Sequence, residues 1–298
     1  QQVNMSGFLN IGLELNQDNS VSFTALGLRQ SEDEVQQDRG LSSEDDVTDG
    51  TFVESYRLQW TENEIESYQL TGEHYFSSIN DMLLEWRIVD GSGSREAPDT
   101  RTYSYAEDNS GYMAVVNPGR QAAGDLRDVF QAPDRNYSEL EDEIEDYGFD
   151  IELPINFLES TIKAGWSDYE RTRESEDRLF RFELQPSAPQ HIAWMTPQQL
   201  FSNENWADQY LAVRDFSAGQ ANASGIFPFA ESSEEVSAFY GSIDSQLLPT
   251  VRVQLGVRSE DTDITADAWG GNTDQGTDNL VKRSYDDTLP SGSVTWEF

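Results

Sequence analysis

The chain has 298 residues, with 19 Lys and Arg against 56 Asp and Glu, a formal net charge of −37. Such a charge repels phosphate backbones and excludes nucleic-acid binding, and the lack of cysteine excludes disulfides, thiolate nucleophiles and Cys-based metal centres. Two histidines leave no His-rich metal centre, and no apolar run reaches the ~18–20 residues of a membrane helix. Aromatic residues, at 11%, are too plentiful for a disordered acidic tail.

Alternation with period two is the dominant pattern. Val21, Phe23 and Ala25 alternate with Ser22 and Thr24; Phe52, Tyr56, Leu58 and Trp60 with Ser55, Arg57 and Gln59; Met82, Leu84, Trp86 and Ile88 with Glu85 and Arg87. Near the C-terminus Val251, Val253, Leu255 and Val257 alternate with Arg252, Gln254 and Arg258, and Val294, Trp296 and Phe298 with Thr295 and Glu297. A strand turns successive side chains to opposite faces, so each segment reads as a strand with one apolar side. Helical spacing is weak and confined to 196–209.

Connections between these strands alternate in length. Short ones, rich in Asn, Asp, Ser and Pro, fall at 16–19, 77–80, 154–160 and 245–249. Long ones fall at about 31–50, 91–133, 186–232 and 270–282. Long loops at one end and short turns at the other are the mark of an outer-membrane barrel, in which every backbone polar group is paired between strands. The fold predicted is therefore all-β: an antiparallel meander of about nine or ten strands forming part of a large transmembrane barrel. Arg57, Gln59, Arg252, Gln254 and Arg258 face its wet interior. The competing reading is a secreted carbohydrate-binding or carbohydrate-active β-sandwich.

Several stretches resemble the barrel domain of TonB-dependent outer-membrane receptors. They are Tyr56-Arg57-Leu58-Gln59-Trp60, then 68–74, then Asn80-Asp81 with Trp86, and Pro98-Asp99-Thr100-Arg101-Thr102-Tyr103. Leu255 to Asp261 is similar to the family's Gly-Val-Arg-Tyr-Glu strand, with Ser259 where an aromatic is usual, and 282–291 is similar to its Tyr-Asp-Asp-x-Leu-Pro-Ser run. The resemblance implies a 22-stranded barrel with an N-terminal plug, so residues 1–298 read as a partial barrel domain lacking plug and remaining strands. Gln1 is no translation start and no signal peptide is visible, which fits an internal piece. The implied function is transport rather than catalysis: uptake of an iron–siderophore complex or an oligosaccharide across a Gram-negative outer membrane. The implied partners are the TonB complex acting through the plug, the membrane lipid and the small-molecule or oligosaccharide ligand.

Candidate sites are few. The acidic runs 32–34, 44–46 and 139–146 read as solvated surface; Asp261-x-Asp263 and 274–278 have the oxygen chemistry of calcium but no full calcium-loop pattern. No nucleophile-elbow serine accompanies His74 or His191, and Gly91-Ser92-Gly93-Ser94 reads as flexible linker. No catalytic residue, metal ligand or cofactor is assigned. Aromatics of the long connections, Tyr103, Tyr105, Tyr112, Trp194, Phe201, Trp206 and Trp269, suit stacking on a sugar face or packing of loop on loop. Tyr103, Tyr105, Trp194, Trp206 and Trp269 are the ligand-binding candidates.

Overall fold

A computed structural model describes residues 1–41, 52–107, 111, 113–115, 133–215, 227–270 and 279–298. Tyr112 and the stretches 44–46 and 274–278 lie outside the described residues. Nine long strands form one antiparallel sheet in chain order: β1 (Gln2–Asn16), β2 (Asn19–Leu41), β3 (Phe52–Phe76), β4 (Met82–Glu107), β6 (Asp134–Ile155), β7 (Ser160–Leu184), β9 (Phe229–Leu248), β10 (Val251–Trp269) and β11 (Val281–Trp296). Two short strands join the long-connection end, β5 (Met113–Val115) on β4 and β8 (Leu211–Asp215) on β7. A single sheet with every neighbour consecutive is the meander of an incomplete barrel, and no second sheet packs on it among the described residues. The sandwich reading is thereby overturned, since it requires two facing layers.

The strands outrun their apolar segments. The long ones have 15 to 26 residues, so the long connections are shorter than the sequence implies. Gly91 to Ser94 lie inside β4, paired with Ser67 to Glu64 of β3, and are not a linker. The acidic runs 32–34 and 139–146 likewise lie within β2 and β6. Backbone pairing with a neighbour extends a strand where its own side chains give no signal.

Opposed residues in an antiparallel ladder share a face, and the registers sort the sheet into two sides. One carries an aromatic row, Trp86, Phe149, Trp166 and Phe239, on four adjacent strands. Its rings lie 6.0 Å apart for Phe149 and Trp166 and 6.5 Å for Trp166 and Phe239. Toward the short turns the next row is Leu84, Ile151, Ala164, Gly241 and Val257; away from them it is Ile11, Phe23, Leu70, Ile88 and Tyr147, turning polar as Asp168, Ser237 and Asp261 on β7, β9 and β10. Among the described residues nothing covers this band, which runs on toward the short turns through Leu255 and Val294: Phe239 is 61%, Leu255 56% and Val294 69% exposed. Further along the same face carboxylates oppose one another, Glu145 against Glu170, Glu141 against Glu174 and Glu139 against Glu176.

The opposite, polar face carries ion pairs at the height of the band. Arg87 donates to Asp146 at 2.7 Å, Lys163 to Glu152 at 2.7 Å and Arg252 to Asp244 at 2.7 and 2.9 Å. Arg57, Gln59, Arg252, Gln254 and Arg258 all share this face by register.

Two glycines let large side chains lie flat across a strand. Trp86 crosses over Gly72 and donates its indole N–H to Nε2 of His74 at 3.0 Å, while Nδ1 of His74 sits 2.7 Å from Asn19 Oδ1. Both ring nitrogens are used, with the proton on Nδ1. On the polar face Tyr240 crosses Gly165 to donate to Asp150 at 2.6 Å. A Cβ at Gly165 would lie 2.3 Å from the Tyr240 ring and 2.8 Å from the Phe149 carbonyl oxygen. Gly165→Ala should cost about 1–3 kcal/mol in a urea unfolding midpoint measured in detergent. Gly241→Ala, where a Cβ meets nothing within 4 Å, should be close to neutral in the same assay.

Candidate functional site

At the long-connection end, residues 185–210 leave β7 and return through β8 as an arm. Leu184 pairs with Leu211, and the Gln185 amide donates to the Tyr210 carbonyl at 2.8 Å, closing its base. The weak helical signal resolves into a 3-10 turn (Gln190–Trp194), α1 (Pro197–Leu200) and α2 (Asn203–Ala207). Local chemistry explains each start. Thr196 and Gln199 form a capping box with Pro197 in the first turn, and Ser202 caps α2. The buried Asn205 side chain donates to the carbonyls of Gln199 and Leu200 at 3.0 and 2.9 Å, tying the helices together.

The arm sits on the face that carries the apolar band. A β-bulge in β4 decides this. Between Ala97 and Thr100 the register against β6 shifts, and Asp99 adopts φ 64°. The extra residue inverts the alternation, so that Arg101, Tyr103 and Tyr105 join Tyr56 and Leu58 of β3, Arg135 of β6 and Phe182 of β7 on the band face. Tyr105 packs with Val115, Leu184, Ile192, Leu200 and Leu211 in a buried cluster. Its hydroxyl donates to the Met195 carbonyl at 2.8 Å, and burial pushes its pKa far up, so it stays a neutral donor. Burial, with a hydrogen bond to Glu54, also raises Tyr56 to about 12.

Between arm and sheet lies a cavity of about 430 Å³ lined by Leu58, Tyr103, Phe182, Pro197, Phe201 and Trp206, with Arg101 and Arg135. Phe182 meets Phe201 and Trp206 edge-on, at 5.1 and 5.9 Å between ring centres. Asp99 gathers both arginines. Arg101 donates to its Oδ2 at 3.0 and 2.5 Å and Arg135 at 3.0 Å, while Arg135 Nε lies 2.8 Å from Oδ1 in an ion pair off the hydrogen-bond line.

Of the five aromatic candidates the structure brings together Tyr103 and Trp206 in the cavity wall, with Tyr105 in the adjacent cluster. Trp194 ends the 3-10 turn, partly exposed. Trp269 is apart, stacked on Phe229 at 5.8 Å beside a second cavity of about 380 Å³ lined by Glu139, Glu141, Glu174, Glu176 and Glu231. Arg135 and Phe182 carry no signal of their own in the sequence, and Arg101 enters it only as part of the Pro98–Tyr103 stretch; Pro98-Asp99 within an alternating segment is the signal that a bulge resets the faces there. Among the described residues no group of three His, Asp or Glu is gathered to hold a metal ion, and Asp261 faces Asp286 across the ladder.

No family model matches the chain, and no curated protein matches it in sequence. Solved structures do align. The siderophore receptor PiuA from Acinetobacter baumannii aligns over 99% of this chain and 46% of its own, at 8% identity and TM-score 0.31. The ferric-catecholate import receptor Fiu of E. coli K12, in its closed form, aligns over the same shares at 9% identity and TM-score 0.26. The chain spans about half the length of the structures it matches.

Two outcomes test the long-connection end of the sheet. Tyr105→Phe should cost about 1 kcal/mol and speed proteolysis within the arm before the sheet is cut. On the polar face, five residues beyond the last apolar row, Asp142 accepts from Arg171 at 2.8 and 2.5 Å and from Arg173 at 2.5 Å, which holds its carboxyl down at about 2. A depressed carboxylate stabilises the fold above its unfolded pKa, and that contribution is lost as pH falls from about 4 to 2. With arginines this exposed it is about 1 kcal/mol. Asp142→Asn should lower the urea midpoint at pH 6 and flatten its fall between pH 4 and pH 2.

Proposed function

We propose that this chain forms part of the wall of a TonB-dependent receptor in the outer membrane of a Gram-negative bacterium, taking up a scarce small molecule. The observation that carries this reading is the band. One face of the sheet is apolar from the row of Leu153, Ile162, Ile243 and Leu255 to that of Trp86 and Phe149, and on β1 to β6 to that of Ile88 and Tyr147; it becomes carboxylate beyond, and a polar face backs it. Strand segments of about 9–11 residues suffice to cross the hydrocarbon layer when tilted, which leaves the remainder of each strand outside it. Further strands would close the ring, and the ion-paired polar face around Arg87, Lys163 and Arg252 would line its lumen or meet the plug.

For the cargo we put an iron–siderophore complex ahead of an oligosaccharide. The aromatics that favoured a sugar cargo, Tyr103, Trp206 and Trp269, share the band face by register or line the cavity on it, whereas cargo traverses the polar side. Energy would come from the TonB complex through the plug.

The two faces give the sharpest test. In the full-length parent, Leu255→Arg places a charge on lipid and should cost about 2–4 kcal/mol, abolishing recovery in the outer-membrane fraction. Gln254→Arg, one residue away on the polar face, should insert normally. Equal recovery of both variants, or recovery of the unaltered protein in the soluble periplasm, refutes the wall. Deletion should impair growth only under iron restriction with a siderophore as iron source; loss of growth on an oligosaccharide instead would reassign the cargo.

A further inference from the structure

We infer that the cavity beneath the arm is a binding site for an anionic sugar, a pyranose bearing a carboxylate or a phosphate, and that it serves the surface surrounding the protein rather than the cargo. Its position rests on the wall reading above; its chemistry does not.

Charge comes first. In a chain of net charge −37, Arg101 and Arg135 stand opposite each other in register with one carboxylate, Asp99, between them. The trio keeps one positive charge, and Asp134, which also lines the cavity, is neutralised by Arg181; past Tyr137 and Arg178 the same face carries Glu62, Glu96, Glu139 and Glu176 in a single row. The bulge at Asp99 creates this. Without its extra residue the alternation would bring Thr100 and Thr102 to the band face and turn Arg101 away. Asp99 takes the Nε/Nη2 edges of both guanidiniums, and the partly exposed N–H donors it leaves over suit a carboxylate or phosphate.

The rings come second. Tyr103, Phe182, Phe201 and Trp206 line the same cavity, whose 430 Å³ lies in the range of small-molecule sites. Flat rings beside an anion-binding fork match a molecule with an apolar ring face and a charged substituent, which is what a sugar acid or sugar phosphate is.

Position comes third. Arg101 lies 13 residues beyond Ile88 along β4, roughly 40 Å of strand, on the face that carries the apolar band. The cavity therefore sits above the lipid and on the outside of the wall, where the glycan coat of the membrane lies and where cargo in the lumen does not pass.

The test uses the full-length protein in detergent, with Trp206 as the fluorescent reporter and Trp206→Phe as its blank. Three probes are titrated: oligomers of galacturonic acid, neutral oligomers of glucose, and lipopolysaccharide with a phosphorylated core. A saturable change with the first or third probe, absent with neutral sugar and weakening as salt rises, supports the site. Response to the free oligomer assigns a soluble source, and response to lipopolysaccharide alone assigns the membrane. Arg101→Gln with Arg135→Gln should weaken binding at least tenfold. Asp99→Asn is the decisive variant, because Asn tolerates φ near 60° and the change frees both guanidiniums. It should tighten binding about fivefold, the equivalent of one exposed ion pair of about 1 kcal/mol. Neutral sugar bound as well as the anionic oligomer, no response to either anionic probe, or Asp99→Asn binding more weakly than the parent overturns the proposal. A failed receptor assignment would show separately, in the fractionation experiment.

Discussion

Like charges set directly opposite one another across strands require water, and large uncovered apolar rings require its absence. This sheet has both on one face of the same strands. Glu141 faces Glu174 and Glu145 faces Glu170 on β6 and β7, while Phe149 faces Trp166 a few residues along the same pair. A soluble layered protein changes medium across a sheet, from core to solvent. Here side-chain character changes along the strands, at the row of Ile88 and Tyr147, whose members on β7 and β10 are already Asp168 and Asp261, which is what the proposed wall requires. The carboxylates thus do positive work for the fold's placement: they forbid the band from sliding outward, since every residue of slip would carry an opposed pair of charges toward hydrocarbon.

On the polar face the same strands solve a different problem. Packing there is too thin for an apolar core, so order comes from cross-strand partners reaching over glycine. Tyr240 crosses Gly165 to Asp150, and Arg87 reaches Asp146 and lies near Asp150 on β6. The Tyr240 crossing ties three strands with one side chain, and the Arg87 pair ties two. Trp86 over Gly72 does the equivalent on the apolar face, hiding the two polar nitrogens of His74 in hydrogen bonds.

Much of this was legible in the residues alone. Period-two segments such as Val251 to Val257 and turn chemistry such as Asn16 to Asn19 place strand beginnings, because apolar alternation and Asx-type hydrogen bonds are local. Strand lengths were not legible: Gly91 to Ser94 and the outer half of β2 are held by pairing with β3, a non-local cause. The ligand candidates were read as residues of outer loops, yet Tyr103 and Tyr105 lie in β4. Their face depends on one inserted residue at Asp99, and alternation counted past a bulge gives the wrong side. The arm was faintly visible because its stability comes from caps and from Asn205 rather than from an amphipathic stripe.

The last constraint is at the margins of the sheet. β1 pairs only with β2, and β11 only with β10, so each presents one row of backbone N–H and C=O groups with no partner in this sheet. Those rows coincide with Leu9, Ile11 and Leu13 on one side and Val294 and Trp296 on the other, each at least half exposed. In hydrocarbon each unpaired backbone group costs several kcal/mol, and apolar side chains beside them offer no relief. In the proposed wall the side chains call for lipid and the bare backbone edges forbid it, and pairing of both edge strands would meet the two demands together.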